Sequence, residues 1–246
     1  MEINGGKPYY EAYEERYKTV YEAGVDVWGH TAEDAFLSAW LTKWVDENDL
    51  RGKRVIEFAC GEGGSGVILS RLGCVYHGVD IAPSALAKAR EKLSAYPDAR
   101  LSHLDMVNEL PNEMYDAALD VMGLHMLVTD ADRAAYLRNA FQCLKPSAPM
   151  LFFRESYRRD MVDASIASYA EWLAFTGDDY TAPQKRLARQ NGMDIEVNIP
   201  MIPARALSES GYRREMEAAG FAVESFAEME VDTQIAYAAS IFVRKP

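Results

Sequence analysis

Cysteine is scarce in this chain of 246 residues: there are three, Cys60, Cys74 and Cys143. An odd, scattered set suits free thiols in a reducing cytoplasm better than a disulfide framework or a zinc knuckle. Long apolar runs are missing as well. No stretch approaches the roughly 20 residues needed to cross a bilayer, so a membrane partner is not expected. The opening MEINGGKPYYEAYEERYK has no basic patch leading into an apolar run, and so does not read as a signal peptide. Positive charge is short, with 26 Lys and Arg against 38 Asp and Glu, a formal net charge of −12. No Lys/Arg-dense stretch is present to neutralise phosphates, which argues against a nucleic-acid partner and for a small molecule. Carboxylates and histidines nowhere cluster at metal-ligand spacing, so no metal site is expected. Nothing in the composition speaks to oligomeric state.

Apolar residues make up 49% of the chain, enough for one substantial core. Residues 8–23 read as a helix, with Tyr10, Tyr13, Tyr17 and Tyr21 three or four apart. A second helix is predicted after Thr31, taken as its N-cap. Short β-prone runs follow at 54–58, 75–79, 100–104, 115–121 and 150–153. Helical stretches separate most of them, notably 84–94 and 130–144. Strands alternating with helices predict right-handed crossovers and a mostly parallel, doubly wound α/β sheet. Beyond it, 160–175 reads as helix and 176–205 as irregular. A helix is expected at 208–219, closed by Gly220, and then two strands at 222–229 and 235–243 that pair antiparallel. One domain is expected in four parts: a helical cover (1–50), a cofactor core (51–155), an inserted lid (156–207) and a C-terminal helix and hairpin (208–246).

The strongest local signal is VIEFACGEGGSG. A glycine-rich turn between strand and helix lets a nucleotide-like ligand approach the backbone. Gly61, Gly63 and Gly66 spell G-x-G-x-x-G, which is weak evidence by itself and is shared with NAD-binding enzymes. Glu57 weighs against NAD, because a carboxylate there would repel a pyrophosphate; it suits a ligand carrying an ammonium and a sulfonium, as S-adenosylmethionine does. Asp80, at the end of the second strand, can accept ribose hydroxyls of either cofactor. His103, Leu104, Asp105 and Met106 follow the third strand, placed to flank an adenine. Asp120 and Val121 end the fourth strand, with His125 just beyond.

Taken in order, ExACGxG, GVDxxxxxLxxAR, YDAALDVMGLHML and LKPSAPMLFF resemble the successive motifs of the class I S-adenosylmethionine-dependent methyltransferases. The resemblance covers residues 54–153, and the last helix and hairpin are also of that type. It implies a Rossmann-like fold that uses S-adenosylmethionine and releases S-adenosylhomocysteine. It implies Glu57 near the methionine ammonium, Gly61 and Gly63 beneath the cofactor, Asp80 on the ribose, Ile81 against the adenine, and Asp105 and Met106 at its edge. Ala59 stands where the family usually has glycine, and Ser147-Ala148 where two glycines often precede the fifth strand.

Other candidates are weaker. Tyr17 and Trp28, in the aromatic N-terminal region, are candidates to cover the cofactor, although such residues commonly only pack. Cys60 reads as a buried filler. His125 is a candidate base for the acceptor's proton, or a pocket wall or helix cap. Arg154 and Glu155, after the fifth strand, and Arg205, before the last helix, are candidates for acceptor binding. The expected reaction is methyl transfer to an oxygen, nitrogen or sulfur of a small molecule. Rivals are an NAD-dependent reductase, weakened by the lack of any Tyr-x-x-x-Lys pair, a non-catalytic S-adenosylmethionine sensor, and a methyltransferase acting on protein or RNA.

Overall fold

The run RVIEF forms β1 (Arg54–Phe58), and all but its first residue are buried. A strand apolar on both faces belongs in the middle of a parallel sheet, and β1 lies there, in a computed structural model that describes residues 8–190, 192–230 and 237–246. Around it are β2 (Val75–Asp80), β3 (Arg100–His103), β4 (Ala117–Val121), β5 (Pro149–Ser156), β8 (Ala222–Glu230) and β9 (Tyr237–Arg244), in the order β3-β2-β1-β4-β5-β9-β8. The first five are parallel; β9 runs antiparallel between β5 and β8. From β1 the chain winds outward through β2 and β3, then returns to β4 on the other side. The carboxyl ends of β1 and β4 therefore flank the switch-point crevice where open α/β sheets bind ligands.

Helices α3 (Gly64–Arg71), α4 (Pro83–Lys92) and α5 (Asp130–Gln142) connect the parallel strands, while α7 (Glu209–Ala218) precedes β8. One face of the sheet buries Leu37, Leu41 and Trp44 of α2 (Ala35–Glu47) with Val67 and Ile68 of α3. The other buries Tyr136 and Leu137 of α5 with Tyr212 and Met216 of α7. The N-terminal cover is a 3-10 turn, Tyr9–Glu11, running into α1 (Ala12–Glu22). Among the described residues, no helix is long and apolar enough to cross a membrane.

Three expectations need correction. The cap of α2 is Asp34, which accepts the Leu37 N–H at 2.9 Å; Thr31 instead accepts the Glu33 N–H. Helix replaces only part of 160–175, as α6 (Tyr169–Thr176). Residues ahead of it are strapped in extended form by carboxylates, Asp163 taking the Ser208 N–H and hydroxyl, and Asp130 the Ser165 hydroxyl and Ile166 N–H. The stretch read as irregular holds an antiparallel pair, β6 (Gln184–Gln190) and β7 (Met193–Ile199), whose Val197 and Ile199 pack on Val20 of α1. The sequence does carry its signal: Asn191-Gly192 between alternating segments.

Candidate active site

Two glycines shape the floor of the crevice. Gly61 has φ +52°, and a Cβ there would stand 2.8 Å from the Tyr17 hydroxyl; any side chain would push α1 off the turn. At Gly66 a Cβ would lie 2.5 Å from the Tyr76 ring. That closeness lets Tyr76 pass beneath α3 and reach Glu57.

Glu57 is fully buried, and its two oxygens accept hydroxyls from Ser65 and Tyr76. Burial pushes its carboxyl up to about 7, opposed by those two bonds. Contact with an ammonium had been expected, but Glu57 faces inward and braces the glycine turn from below. Asp120 is likewise turned inward, accepting the Gly123 N–H and the Tyr136 hydroxyl, each at 2.6 Å. Burial, with Glu155 adding to it, holds its carboxyl well above the usual range.

A cleft opens beside the turn. Its polar end is Asp80, whose oxygens accept the Gly61 N–H at 2.7 Å and the Ala82 N–H at 2.8 Å. Each oxygen keeps a lone pair for a ribose hydroxyl. Its walls are apolar, with Ile81, Leu104, Met106 and Val107 on one side and Ala59, Met126 and Leu127 on the other. Asp105 stands at the rim, holding its own turn through the Val107 N–H and receiving the Tyr10 hydroxyl. Tyr10, Tyr13 and Tyr17 form the roof. A carboxylate for a diol beside a flat apolar slot is the donor set an adenosine needs, so the residues present fit S-adenosylmethionine. Of the eleven expected cofactor residues, the cleft gathers Tyr17, Ala59, Asp80, Ile81, Asp105 and Met106. Trp28 lies outside its lining, giving its backbone N–H to Glu62 at 2.8 Å.

Glu62 carried no signal in the sequence. It is buried, and receives Tyr21, the Trp28 backbone and Lys92, so one carboxylate ties the cover, α4 and the glycine turn together. Tyr136 and Tyr76 were also missed, since their partners lie 16 and 19 residues away and a strand or helix apart.

His125 lies on the 3-10 turn Leu124–Met126 after β4. Glu155 Oε2 accepts its backbone N–H and stands against its ring Nδ1, each at 2.8 Å, while the Ser156 N–H approaches the same Nδ1 at 3.4 Å. Glu155 faces His125 because β5 bulges at Arg154, whose φ is +58°. The acceptor roles expected of three residues are displaced by these contacts. Glu155 is fully buried against His125. Arg154 pairs with Asp34 at 2.8 Å and lies over the rings of Phe36 and Phe153. Arg205 donates to the carbonyls of Val128 and Ala164 and to Asp130, a structural strap.

Residues 55–147 match the family described as "Methyltransferase domain", the span that holds the glycine turn, Asp80, Asp105 and His125. This stretch is similar to methyltransferase domains. Ribosomal protein L11 methyltransferase of Sodalis glossinidius is 33% identical over 79 residues, 32% of this chain and 27% of that one. Ubiquinone biosynthesis O-methyltransferase of Pseudomonas savastanoi is 29% identical over 114 residues, 44% of this chain and 47% of that one. The chain thus spans less than half of either relative. In fold it is similar to the 1,6-didemethyltoxoflavin-N1-methyltransferase of Burkholderia thailandensis, solved with its substrate and S-adenosylhomocysteine. The TM-score is 0.67 at 16% identity, over 100% of this chain and 93% of that one.

Proposed function

We propose that this chain is a methyltransferase acting on a small molecule, transferring the methyl group to an oxygen, nitrogen or sulfur, with His125 drawing off the acceptor's proton. The observation that carries the base assignment is the double contact of Glu155 with the His125 backbone and Nδ1. A carboxylate on Nδ1 fixes the tautomer that leaves Nε2 as the basic atom and steadies the ring once it is protonated. When bound, S-adenosylmethionine supplies a methyl group already activated on a positively charged sulfur. The chain then has chiefly to orient and to exclude water, an effect that can be worth several kcal/mol. Asp80 receives the ribose, the slot from Ile81 to Val107 takes the adenine, and the tyrosines of α1 cover both. The segment 156–207 and α1 close the acceptor side.

The relative that methylates a ribosomal protein keeps a protein acceptor in view, whereas the net charge of −12 speaks against RNA. A panel of small molecules, peptides and RNA, scored for S-adenosylhomocysteine release, decides among them. Turnover of at least one small molecule and none of the polymers is the expected result. Release with no panel member, in protein that binds the cofactor, would favour a sensor. With a working acceptor, His125→Ala should lower turnover by about 10²–10⁴ while S-adenosylhomocysteine binds as before. Equal turnover in that variant would remove His125 from the chemistry.

A further inference from the structure

With 38 acidic side chains against 26 Lys and Arg, an arginine in this protein has ample choice of carboxylate. Arg51, Arg133, Arg159, Arg205, Arg213 and Arg244 each take one. Exposed arginines such as Arg90 and Arg138 can do without one, but two that are not exposed also lack it. Among the described residues, Arg16 on α1 and Arg186 on β6 have no ion pair, and the Nε atom of each is buried without a hydrogen-bond partner. Such atoms are costly to leave unpaired, the more so on a cation.

The two lie close enough to feel each other's charge. Arg16 lies on α1 between Tyr13 and Tyr17, both of which line the cleft, and its guanidinium sits 5.3 Å from the centre of the Trp28 ring. Arg186 shares a face of β6 with Ala188, which packs against the Val20–Val25 cluster beneath α1. Its own contacts are neutral: the Gln184 Oε1 at 2.7 Å and the Lys185 carbonyl at 3.3 Å. Burial lowers Arg16's hold on its proton, and Arg186 is near enough to lower it further. Among the described residues, the groups that bear electrostatically on Arg16 offer no counter-charge. Burial keeps Tyr13 and Tyr17 un-ionised. Glu62 is already bound by Lys92, Tyr21 and Trp28, and Glu155 by His125.

We propose that Arg16 and Arg186 form an anion subsite for the acceptor, taking a carboxylate or phosphate carried by the small molecule to be methylated. Guanidinium forks match either group. The inference rests on the methyl-transfer reading only in calling the ligand the acceptor. One arginine comes from the cover and the other from the hairpin within 156–207, whereas the cleft's Asp80 and apolar slot come from the core. The anion thus bridges the two parts that close the acceptor side. The cofactor's own α-carboxylate is the other source of such a group, and the test must separate them.

Calorimetry on the full chain loaded with S-adenosylhomocysteine would compare benzoate, phenylacetate and phenyl phosphate with the methyl esters of the two acids and with phenol. At least one anion should bind tenfold or more tightly than its neutral counterpart. Arg186→Gln should abolish that preference, and Arg186→Lys should keep part of it, while S-adenosylhomocysteine binds within about twofold of the wild type in both. Absence of any preference in the wild type would overturn the subsite. So would a tenfold loss of S-adenosylhomocysteine affinity in Arg186→Gln with 5′-methylthioadenosine, which lacks the amino-acid end, unaffected: the pair would then read the cofactor. Failure of methyl transfer itself shows separately, as no product from any acceptor despite anion binding.

Discussion

Glu57 sits in the core with hydroxyls for company and no cation bonded to it, which ties its protonation to folding. Its carboxyl rises from 4.5 to about 7 through burial. The stabilisation of the protonated form is complete below about pH 4.5 and is lost as pH rises through 7. His30 and His77 work the other way. Burial lowers both from 6.5 to about 4, so their contribution is complete above pH 6.5 and fades as pH falls toward 4. In ligand-free protein, Glu57→Gln should therefore flatten the decline of melting temperature between pH 5 and 7.5 and leave the fall toward pH 4 in place. A decline identical to the wild type would mean that Glu57 is ionised at neutral pH. Asp80 is the second test. Asp80→Asn leaves an oxygen for a backbone N–H but removes the charged acceptor, and hydrogen bonds to charged groups are worth about 1.5–3 kcal/mol. S-adenosylhomocysteine affinity should fall at least tenfold by calorimetry, with the melting curve still cooperative. Asp80 and Asp105 could be placed at the crevice from the sequence because the topology fixes where the chain leaves β2 and β3. The inward orientation of Glu57 and Asp120 was not legible because it depends on Tyr76 and Tyr136, whose approach is set by packing rather than by local pattern.

At the level of elements, β1, β4 and β5 were visible as short apolar runs, since a strand buried on both faces leaves little freedom of composition; β3, exposed or half-buried, is not of that kind. The segment 156–207 was opaque because its order comes from side chains reaching across the chain. Arg205 shows this best: it is nearly buried, and ties Val128, Asp130 and Ala164 to the connection before α7. Arg205→Met should cost about 3 kcal/mol in urea denaturation, through two carbonyls and a carboxylate left without their donor. Because the side chain is spent on the fold, acceptor KM should move little once the protein is folded. A large rise in KM with no loss of stability would return Arg205 to the acceptor site. The hairpin of β6 and β7 invites a different measurement. It packs on α1 through Val197 and Ile199, and hydrogen exchange of 184–199 should slow when cofactor product and acceptor are both bound. Unchanged exchange would leave the hairpin without a part in closure.

Across the whole molecule, the cover is fastened to the core by separate polar contacts along its length. Tyr10 donates to Asp105 at 3.1 Å, Glu14 receives the Ser84 hydroxyl at 2.7 Å, and Tyr21 donates to Glu62 at 2.8 Å. The first lies on the cleft, and between the fastenings along α1 the Tyr17 hydroxyl stands over Gly61. A ligand roofed in this way leaves when the fastenings loosen together, so the spent cofactor would outlast the chemical step. Mixed rapidly with acceptor, the enzyme should yield a first turnover of about one product per chain and then a slower steady rate. Tyr21→Phe, which cuts one fastening and keeps the ring, should raise that steady rate and shrink the initial burst. The same door that keeps water from the sulfonium would set the pace of the cycle.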